Sequence, residues 1–544
     1  MVPTRWIVGL GICAVALYVV LGAMNLYFGD LNQDEGWYLY AARQVHEGRL
    51  PYRDFAFTQG PMLPLVYSWA QPLVDRWGVA GGRLFSAALG FLAALAAAWL
   101  AARSSPRRTG SVAALLAFIL IAANVYQSYF TTVVKTYALC MLFLTAGMLA
   151  ASFAKVRWGG VVAVFLSGVL LALATGTRHS AGAALPVVFL WLVLKRKELG
   201  GARWFAFGLG GALGLAAVVV PFLWVAREPF WFAMVEYHSG RSAGGLLSAL
   251  VYKAGFISRF VQAFFVPVCL GAALVAWRRL RALPAGVVLP ASAAPAGFGP
   301  ALWWTGLAIT MVHFAAPFPY EDYQVFVFPV LAAALAASTV RFVLRGEAAA
   351  ERAAPNGPRQ GALSLGVLGI VFLASVAASF SSPINQSWFV RGRDRIWWKL
   401  KDQPALRQLQ QVGAWVAEQA GFDTLLLTQD TYLAVEAGMS VPPGLEMGPF
   451  SYFPDLPRDR AERLHVLNRE MLEALLAESP ARLAAFSGYG LAIRSPEVAE
   501  LPEEEQEALW RIVEGRYEEI ARIRDFGQGF TTLRVLARLP QPAP

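Results

Sequence analysis

Long apolar runs alternate with short polar connections along this chain, and their spacing sets the first expectation. The runs begin at about Trp6, Arg83, Ser111, Val133, Trp158, Ala181, Trp204, Phe260, Ala301, Gln324 and Gly361. Each is read as a segment able to cross roughly 30 Å of hydrocarbon. The pattern therefore predicts a polytopic α-helical membrane protein with about eleven transmembrane helices. Some runs, 181–194 among them, are short and pair with a re-entrant loop. The first, residues 6–28, is too long for the apolar part of a signal peptide and shows no convincing cleavage site. It is read as an uncleaved anchor.

The pattern changes twice. Residues 29–82 form a first outer loop of about fifty residues, where connections in helix bundles usually take about 2–8. Within it Tyr38, Ala41, Ala42 and Val45 recur on one helical face after Asp34, and Gly48 follows as a stop. A second short helix opens at Pro61 and runs through Trp69. Both are too short to span and are expected to lie in the interface plane. From about Ser381 the chain alternates helix-like and strand-like patterns. Helices are expected over 404–421, 458–478 and 502–517, and strands over 424–428 and 482–487. Two further strands are joined by Gly527-Gln528-Gly529. That alternation predicts a small α/β domain. The organisation expected is a membrane domain over 1–380 and an outer domain over 381–544.

Composition agrees with the membrane reading. Of 544 residues 57% are hydrophobic and only 15% are charged, against about 25% charged in soluble domains. The net charge of +10 is divided unevenly. Residues 1–380 carry 28 Lys+Arg and 13 Asp+Glu, whereas the remainder carries 18 and 23. The basic character thus belongs to the membrane half and is no nucleic-acid footprint. All three cysteines (Cys13, Cys140, Cys269) fall inside apolar runs, so no disulfide framework or zinc spacing is present.

Alternate connections hold clusters such as Arg103/Arg107/Arg108 and Lys195/Arg196/Lys197/Arg203. With Arg5 these connections total 17 cations against three acids, Glu198, Glu347 and Glu351. By the positive-inside rule the N-terminus is cytoplasmic, and an odd number of spans puts the tail outside.

The first outer loop is where chemistry is expected. Asp30, Asp34, Glu35, Glu47, Asp54 and Asp75 are interleaved there with Trp37, Tyr38, Tyr52, Phe57, Trp69 and other aromatics. Acids and aromatics beside a membrane surface look like a carbohydrate or headgroup site. The plainer readings are that Asp34 caps its helix, Glu35 complements the helix dipole, and Asp54 pairs with Arg53 or Arg49.

The stretch "DEGWYLYAARQVHEGRLPYRDFAFTQGPMLPLVY" resembles the first outer loop of GT-C glycosyltransferases. The group in question is that of the protein O-mannosyltransferases and the aminoarabinose transferase (glycosyltransferase family 39-like). Two later stretches are similar to the same group: "ALATGTRHSAGAALP" at 172–186 and "FPYEDYQVFVFPVLAAALA" at 318–336. The resemblance covers residues 1–380, with a small outer domain following as in many members. It implies a GT-C fold and transfer of a sugar from a polyprenyl-phosphate donor to an acceptor hydroxyl on the outer side of the membrane, with inversion. The acceptor would be a lipid, a glycan or a protein.

In that reading Asp34 and Glu35 are the catalytic pair, and they would hold a divalent ion if one is used. Tyr52 and Asp54 of the Pro-Tyr-x-Asp turn, and Tyr323 of the late stretch, are taken as substrate-binding. Many relatives place a second carboxylate near the third and fourth spans. Here residues 124–136 contain none, and Lys135 is their only charge.

A polyprenyl phosphate in the outer leaflet needs cations at its own depth. Lys135, Arg178, His179, Arg241, Lys253 and Arg259 are the candidates. Arg178 is the strongest, because a charge near the membrane interior needs a reason; the alternative is a snorkelling side chain. His179 reads as a neutral hydrogen-bonding neighbour. Residues 226–259 carry an aromatic cluster and a Ser/Gly hinge that would let Arg241 close over a donor. Two other function classes remain open, a lipid-linked-sugar flippase and a non-catalytic scaffold. A flippase usually shows paired broken helices in corresponding halves, whereas here one acidic loop has no counterpart and an outer soluble domain is expected that transport would not need.

Orientation yields a direct test. A reporter that is active only in the cytoplasm, fused after Pro544, is expected to be silent. Strong activity would mean that one span has been miscounted.

Overall fold

The computed structural model describes residues 3–157, 159–240, 245–280, 298–353, 362–380 and 403–540. A helix stands near each apolar run. The first nine helices are α1 (Thr4–Phe28), α2 (Gln33–His46), α3 (Met62–Tyr67), α4 (Gln71–Trp77), α5 (Val79–Arg103), α6 (Gly110–Ala122), α7 (Val125–Thr132), α8 (Thr136–Ala151) and α9 (Gly159–Thr177). The later ones, cited by range, include Ala184–Leu194, Gly201–Val225, Leu246–Ala263, Phe265–Leu280, Phe298–Ala315, Phe328–Ala353 and Ala362–Phe380.

Among the described residues, four helices are long and apolar enough to cross a membrane: α1, α5, α9 and Gly201–Val225. Two bent pairs add a span each if counted whole. Residues 107–132 bend by 71°, and the Leu246–Ala263 pair bends by 90°. Several remaining apolar helices are shorter, α8 and Phe328–Val343 among them. The run that begins at Ala181 opens as a 3-10 turn, His179–Ala183, before Ala184–Leu194.

With little hydrophobic force between helices in lipid, close backbone approach decides their packing. It is clearest where α9 crosses Gly201–Val225. A Cβ on Gly210 would lie 2.2 Å from the Phe165 carbonyl oxygen. The bundle core gathers Leu21, Leu116, Tyr129, Leu144, Leu171, Leu302 and Val330 in one cluster.

The tail carries a four-stranded sheet. Its strands are β1 (Leu426–Thr428), β2 (Leu483–Phe486), β5 (Tyr517–Phe526) and β6 (Thr531–Arg538), in the order β1-β2-β6-β5. β1 pairs parallel with β2, and the other pairs are antiparallel. A separate two-residue hairpin is formed by β3 (Ile493–Arg494) and β4 (Ala499–Glu500).

Helices Ala405–Ala420 and Glu503–Glu514 match the expected ones closely. The helix expected over 458–478 is broken into Arg458–Arg463 and Arg469–Glu478. His465 takes a left-handed φ of 58° there, and Asn468 starts the second piece by accepting the Met471 amide at 3.0 Å. Tyr517, expected to end a helix, begins β5.

The outer loop and the tail share one hydrophobic cluster. It runs from Leu31, Trp37, Tyr40 and Phe55 to Leu433, Tyr452, Phe486 and Val535. The tail helix Thr431–Glu436 lies so close over α2 that a Cβ on Gly36 would meet the Tyr432 backbone nitrogen at 2.2 Å. The pattern of α2 predicted one buried face. The structure buries Glu35 through Ala42 without a break, because the tail closes the side left open by the loop.

Buried polar bonds hold this lid in register. Asp430 accepts from Gln33 Nε2 at 3.3 Å, Tyr432 Oη at 3.0 Å, and the Ser487 amide and hydroxyl at 2.7 Å each. Tyr40 Oη accepts the Val441 amide at 3.1 Å. Glu446, 4% exposed, accepts the Gly444 amide at 2.7 Å.

Burial pushes the Glu446 carboxyl up from 4.5 to about 7. A folded-state value above the unfolded one means that stability is greatest below about pH 4.5 and is lost as pH rises through 7. By pH 8 the loss approaches about 3 kcal/mol. Thermal unfolding of detergent-solubilised protein is expected to show a midpoint that falls between pH 5 and pH 8. Glu446→Gln should flatten that slope, and an unchanged slope would remove Glu446 as its cause.

Candidate active site

The candidate groups stand where helices stop. Asp34 lies in the first turn of α2, and Lys135 occupies the extended break between α7 and α8. Arg178 follows the end of α9 in extended backbone, while Asp322 and Tyr323 lie in a 3-10 turn, Glu321–Gln324. A charge on the lipid or core face of an apolar helix is costly unless it is paired. At its ends, polar side chains from several helices can meet.

They do meet. Lys135 Nζ lies 3.3 Å from Asp34 Oδ2 and 3.3 Å from Asp322 Oδ2. Tyr137 Oη donates to that same Asp322 oxygen at 2.8 Å. Asp322 Oδ1 is buried with no hydrogen-bond partner among the described residues. Asp34 Oδ1 accepts from Trp37 Nε1 at 3.2 Å, and its side chain keeps 29% of its surface.

The Arg178 guanidinium is centred 4.1 Å from the Tyr323 ring and 4.9 Å from the Tyr137 ring. Its Nη1 donates to Thr136 Oγ1 at 3.0 Å. The result is a polar cluster in which the Asp34 carboxylate is partly exposed and the Arg178 guanidinium is cradled by aromatic rings. Lys135 lies between the two carboxylates.

The cap is not Asp34. Asn32 Oδ1 accepts the Asp34 amide at 3.0 Å, and Glu35 Oε1 accepts the Asn32 amide at 3.0 Å. This reciprocal capping box leaves the Asp34 carboxylate turned outward.

Glu35 does not join Asp34 in the cluster, because consecutive helical residues point about 100° apart. Its two oxygens meet Arg83 Nη2 at 2.6 Å and Nε at 2.7 Å, and both side chains are fully buried. Glu35 Oε2 also accepts the Val134 amide at 3.2 Å. With both oxygens occupied, Glu35 cannot share a divalent ion with Asp34 unless the pair with Arg83 breaks. Among the described residues no cluster of three or more His, Cys, Asp or Glu side chains could hold a metal.

Other expected contacts lie elsewhere. Tyr52 is buried against Phe57, Phe222 and Phe230, and its hydroxyl donates to the Gln59 carbonyl. It belongs to the core of the outer loop. Asp54 closes its own turn by accepting the Leu50 amide at 2.7 Å, and the Arg53 side chain beside it pulls its carboxyl below the usual range. His179 Nε2 lies 3.0 Å from Met234 Sδ, with the His238 ring edge-on to it. Lys253 donates to the Phe314 and Ala316 carbonyls, and Arg259 lies 3.6 Å from Glu321. Arg241 lies outside the described residues.

Reasoning from sequence missed Asp322, Tyr137 and Arg83. Asp322 places a carboxylate beside Lys135 and Tyr137 from a segment nearly two hundred residues after them. Its signal was present in the stretch "FPYEDYQVFVFPV", where only the tyrosine was taken up.

No family model and no curated protein matches the chain. Two solved structures of ArnT from Cupriavidus metallidurans are similar to it across nearly their whole lengths. The apo structure aligns with a TM-score of 0.60 at 14% identity, covering 98% of this chain and 99% of that one. The structure bound to undecaprenyl phosphate aligns at 0.56 and 14%, covering 99% and 100%. This chain therefore has the GT-C membrane fold.

The buried ion pair invites a test. Removing one partner of such a pair leaves an uncompensated charge and costs about 3–5 kcal/mol. Arg83→Ala and Glu35→Ala are each expected to lose stability on that scale in thermal or denaturant unfolding. The double variant Glu35→Leu/Arg83→Met should regain much of it. Mild losses in both single variants would mean that the pair does not organise the loop.

Proposed function

We propose that this chain is a membrane glycosyltransferase. It moves a sugar from a polyprenyl-phosphate donor to an acceptor hydroxyl on the outer side of the membrane. The observation that carries the reading is the cluster in which Asp34, Lys135, Asp322 and Arg178 converge where helices begin and end. The ArnT fold, seen with undecaprenyl phosphate in Cupriavidus metallidurans, supports a lipid-linked donor.

Each group has a step that its geometry suits. The Arg178 guanidinium, backed by Tyr323 and Tyr137, takes the donor phosphate through its remaining N–H groups, a strong charge-assisted contact. Lys135 adds positive charge between the phosphate and the two carboxylates and holds Asp34 and Asp322 in place. Asp34 Oδ2 accepts the proton of the acceptor hydroxyl as its oxygen attacks the anomeric carbon in line. The bond from that carbon to the phosphate oxygen breaks, the centre inverts, and polyprenyl phosphate leaves with its negative charge facing Arg178 and Lys135. Asp322 Oδ1 is left open to accept from a sugar hydroxyl. Glu35 acts at one remove, as a positioning residue through Arg83.

Purified protein incubated with labelled polyprenyl-phosphate sugars tests the reading. Transfer or hydrolysis supports the enzyme, vectorial movement alone would make it a flippase, and neither would leave a scaffold. General-base catalysis contributes about 10²–10⁴-fold. Asp34→Asn is therefore expected to lower transfer by at least about a hundredfold while donor binding and expression stay near normal. Full turnover in Asp34→Asn would place the base elsewhere. Arg178→Ala should weaken donor binding, with Arg178→Lys intermediate because ammonium keeps the charge and loses the fork. Unchanged affinity in both variants would return Arg178 to a snorkelling role.

A further inference from the structure

A cleft of about 700 Å3 opens beside α2, away from the site just described. Arg43 follows Asp34 by nine positions, which at 100° per residue places it about 180° around the helix and about 14 Å along it. The two sites therefore lie on opposite faces of the same helix. α2 contributes Arg43 and the residue after its end contributes Glu47 to the lining, α4 contributes Gln71, Asp75 and Trp77, and the tail contributes Gln410. The cleft exists only because the tail is docked over the outer loop.

Its chemistry is specific. Gln71 is 3% exposed; its Nε2 donates to Asp75 Oδ1 at 2.7 Å, while its Oε1 has no hydrogen-bond partner among the described residues. A buried carbonyl left in that state carries an uncompensated desolvation penalty, which a hydroxyl donor would relieve. Trp77 keeps 43% of its surface at the edge, with the Arg76 guanidinium 5.1 Å from its ring centre.

Charges in the lining nearly cancel. The acids are Glu47, Asp75 and Glu436, and the bases are Arg43 and Arg76. Several are already engaged: Glu436 accepts the Val79 amide at 2.9 Å, and Arg43 donates to the Met439 carbonyl at 2.9 Å and Ser440 Oγ at 3.1 Å. A phosphate or a strongly charged peptide would find no concentrated countercharge here.

A sugar matches this set. Its hydroxyls both donate and accept, which suits carboxylates and amides side by side. Its C–H face carries partial positive charge, which suits the electron-rich face of an indole. We propose that this cleft binds a short neutral oligosaccharide, at a site separate from the reaction site and independent of whether the chain is a transferase. Where a glycan is the acceptor, it would hold sugars remote from the reacting hydroxyl.

The test uses the full chain in lipid nanodiscs. Maltotetraose, mannotetraose and chitotetraose are titrated in turn, with binding followed by saturation-transfer NMR and by tryptophan fluorescence. At least one is expected to bind saturably. Trp77→Ala and Gln410→Ala, each checked for unchanged thermal unfolding, are expected to weaken it at least tenfold. Asp34→Asn should bind like the parent, so this outcome is separable from failure of the transferase reading. The proposal is overturned if none of the three binds, if both edge substitutions leave binding unchanged, or if inorganic phosphate displaces the saccharide.

Discussion

The ion pair between Glu35 and Arg83 is the constraint on which the outer half of the molecule depends. Arg83 stands in the first turns of α5, yet it donates to the carbonyls of Leu26, Gly29 and Asp30 as well as to Glu35. One guanidinium thus ties the end of α1, the start of α2 and the start of α5 together. Glu35 closes the capping box of α2 and takes the Val134 amide, the residue beside Lys135. Asp34 and Lys135 are brought to 3.3 Å by neighbours that are themselves fixed to this pair. A pair of this kind adds little net stability over a well-packed apolar substitute. Its contribution here is geometric: it sets the rotation of α2 and so which of two adjacent carboxylates faces Lys135.

The tail acts through packing on that same helix. Asp430 receives four hydrogen bonds, one of them from Gln33 at the first residue of α2, and burial pushes its carboxyl above the usual range. Glu228 and Arg463 extend the contact at the surface, at 2.9 Å. An exposed pair such as this adds little by itself. The shared apolar cluster supplies the larger part. A helix that would otherwise lie half in water becomes an interior element, with the Asp34 cluster on one face and a cleft on the other.

Much of this was legible in the sequence. Apolar runs of spanning length must find lipid or other helices, so their positions needed no partner to be read. Helix Ala405–Ala420 and the strands either side of Gly527-Gln528-Gly529 follow from local periodicity and turn chemistry. The place of Asp34 at the start of a helix was legible too, but the capping residue there is Asn32 and not Asp34. Asn32 sits two residues earlier and reaches the amide first, a choice that depends on where α1 delivers the chain.

What the sequence alone determined, then, were quantities set within a few neighbouring residues: helix and strand positions, the uneven charge along the chain, and the concentration of acids in one loop. The tertiary structure decided the partners. Lys135 and Asp322 are 187 positions apart, Gln33 and Asp430 are 397 apart, and Glu35 and Arg83 are 48 apart. Nothing local signals such pairs, because an ion pair stabilises only after helix packing has excluded water from between its members. For the same reason Tyr52 and Asp54, in a turn that read as a binding motif, belong to the loop's own core and hydrogen bonding. The residues that converge on the Asp34 cluster come from three helix ends and a 3-10 turn, and only the folded bundle brings them to one place.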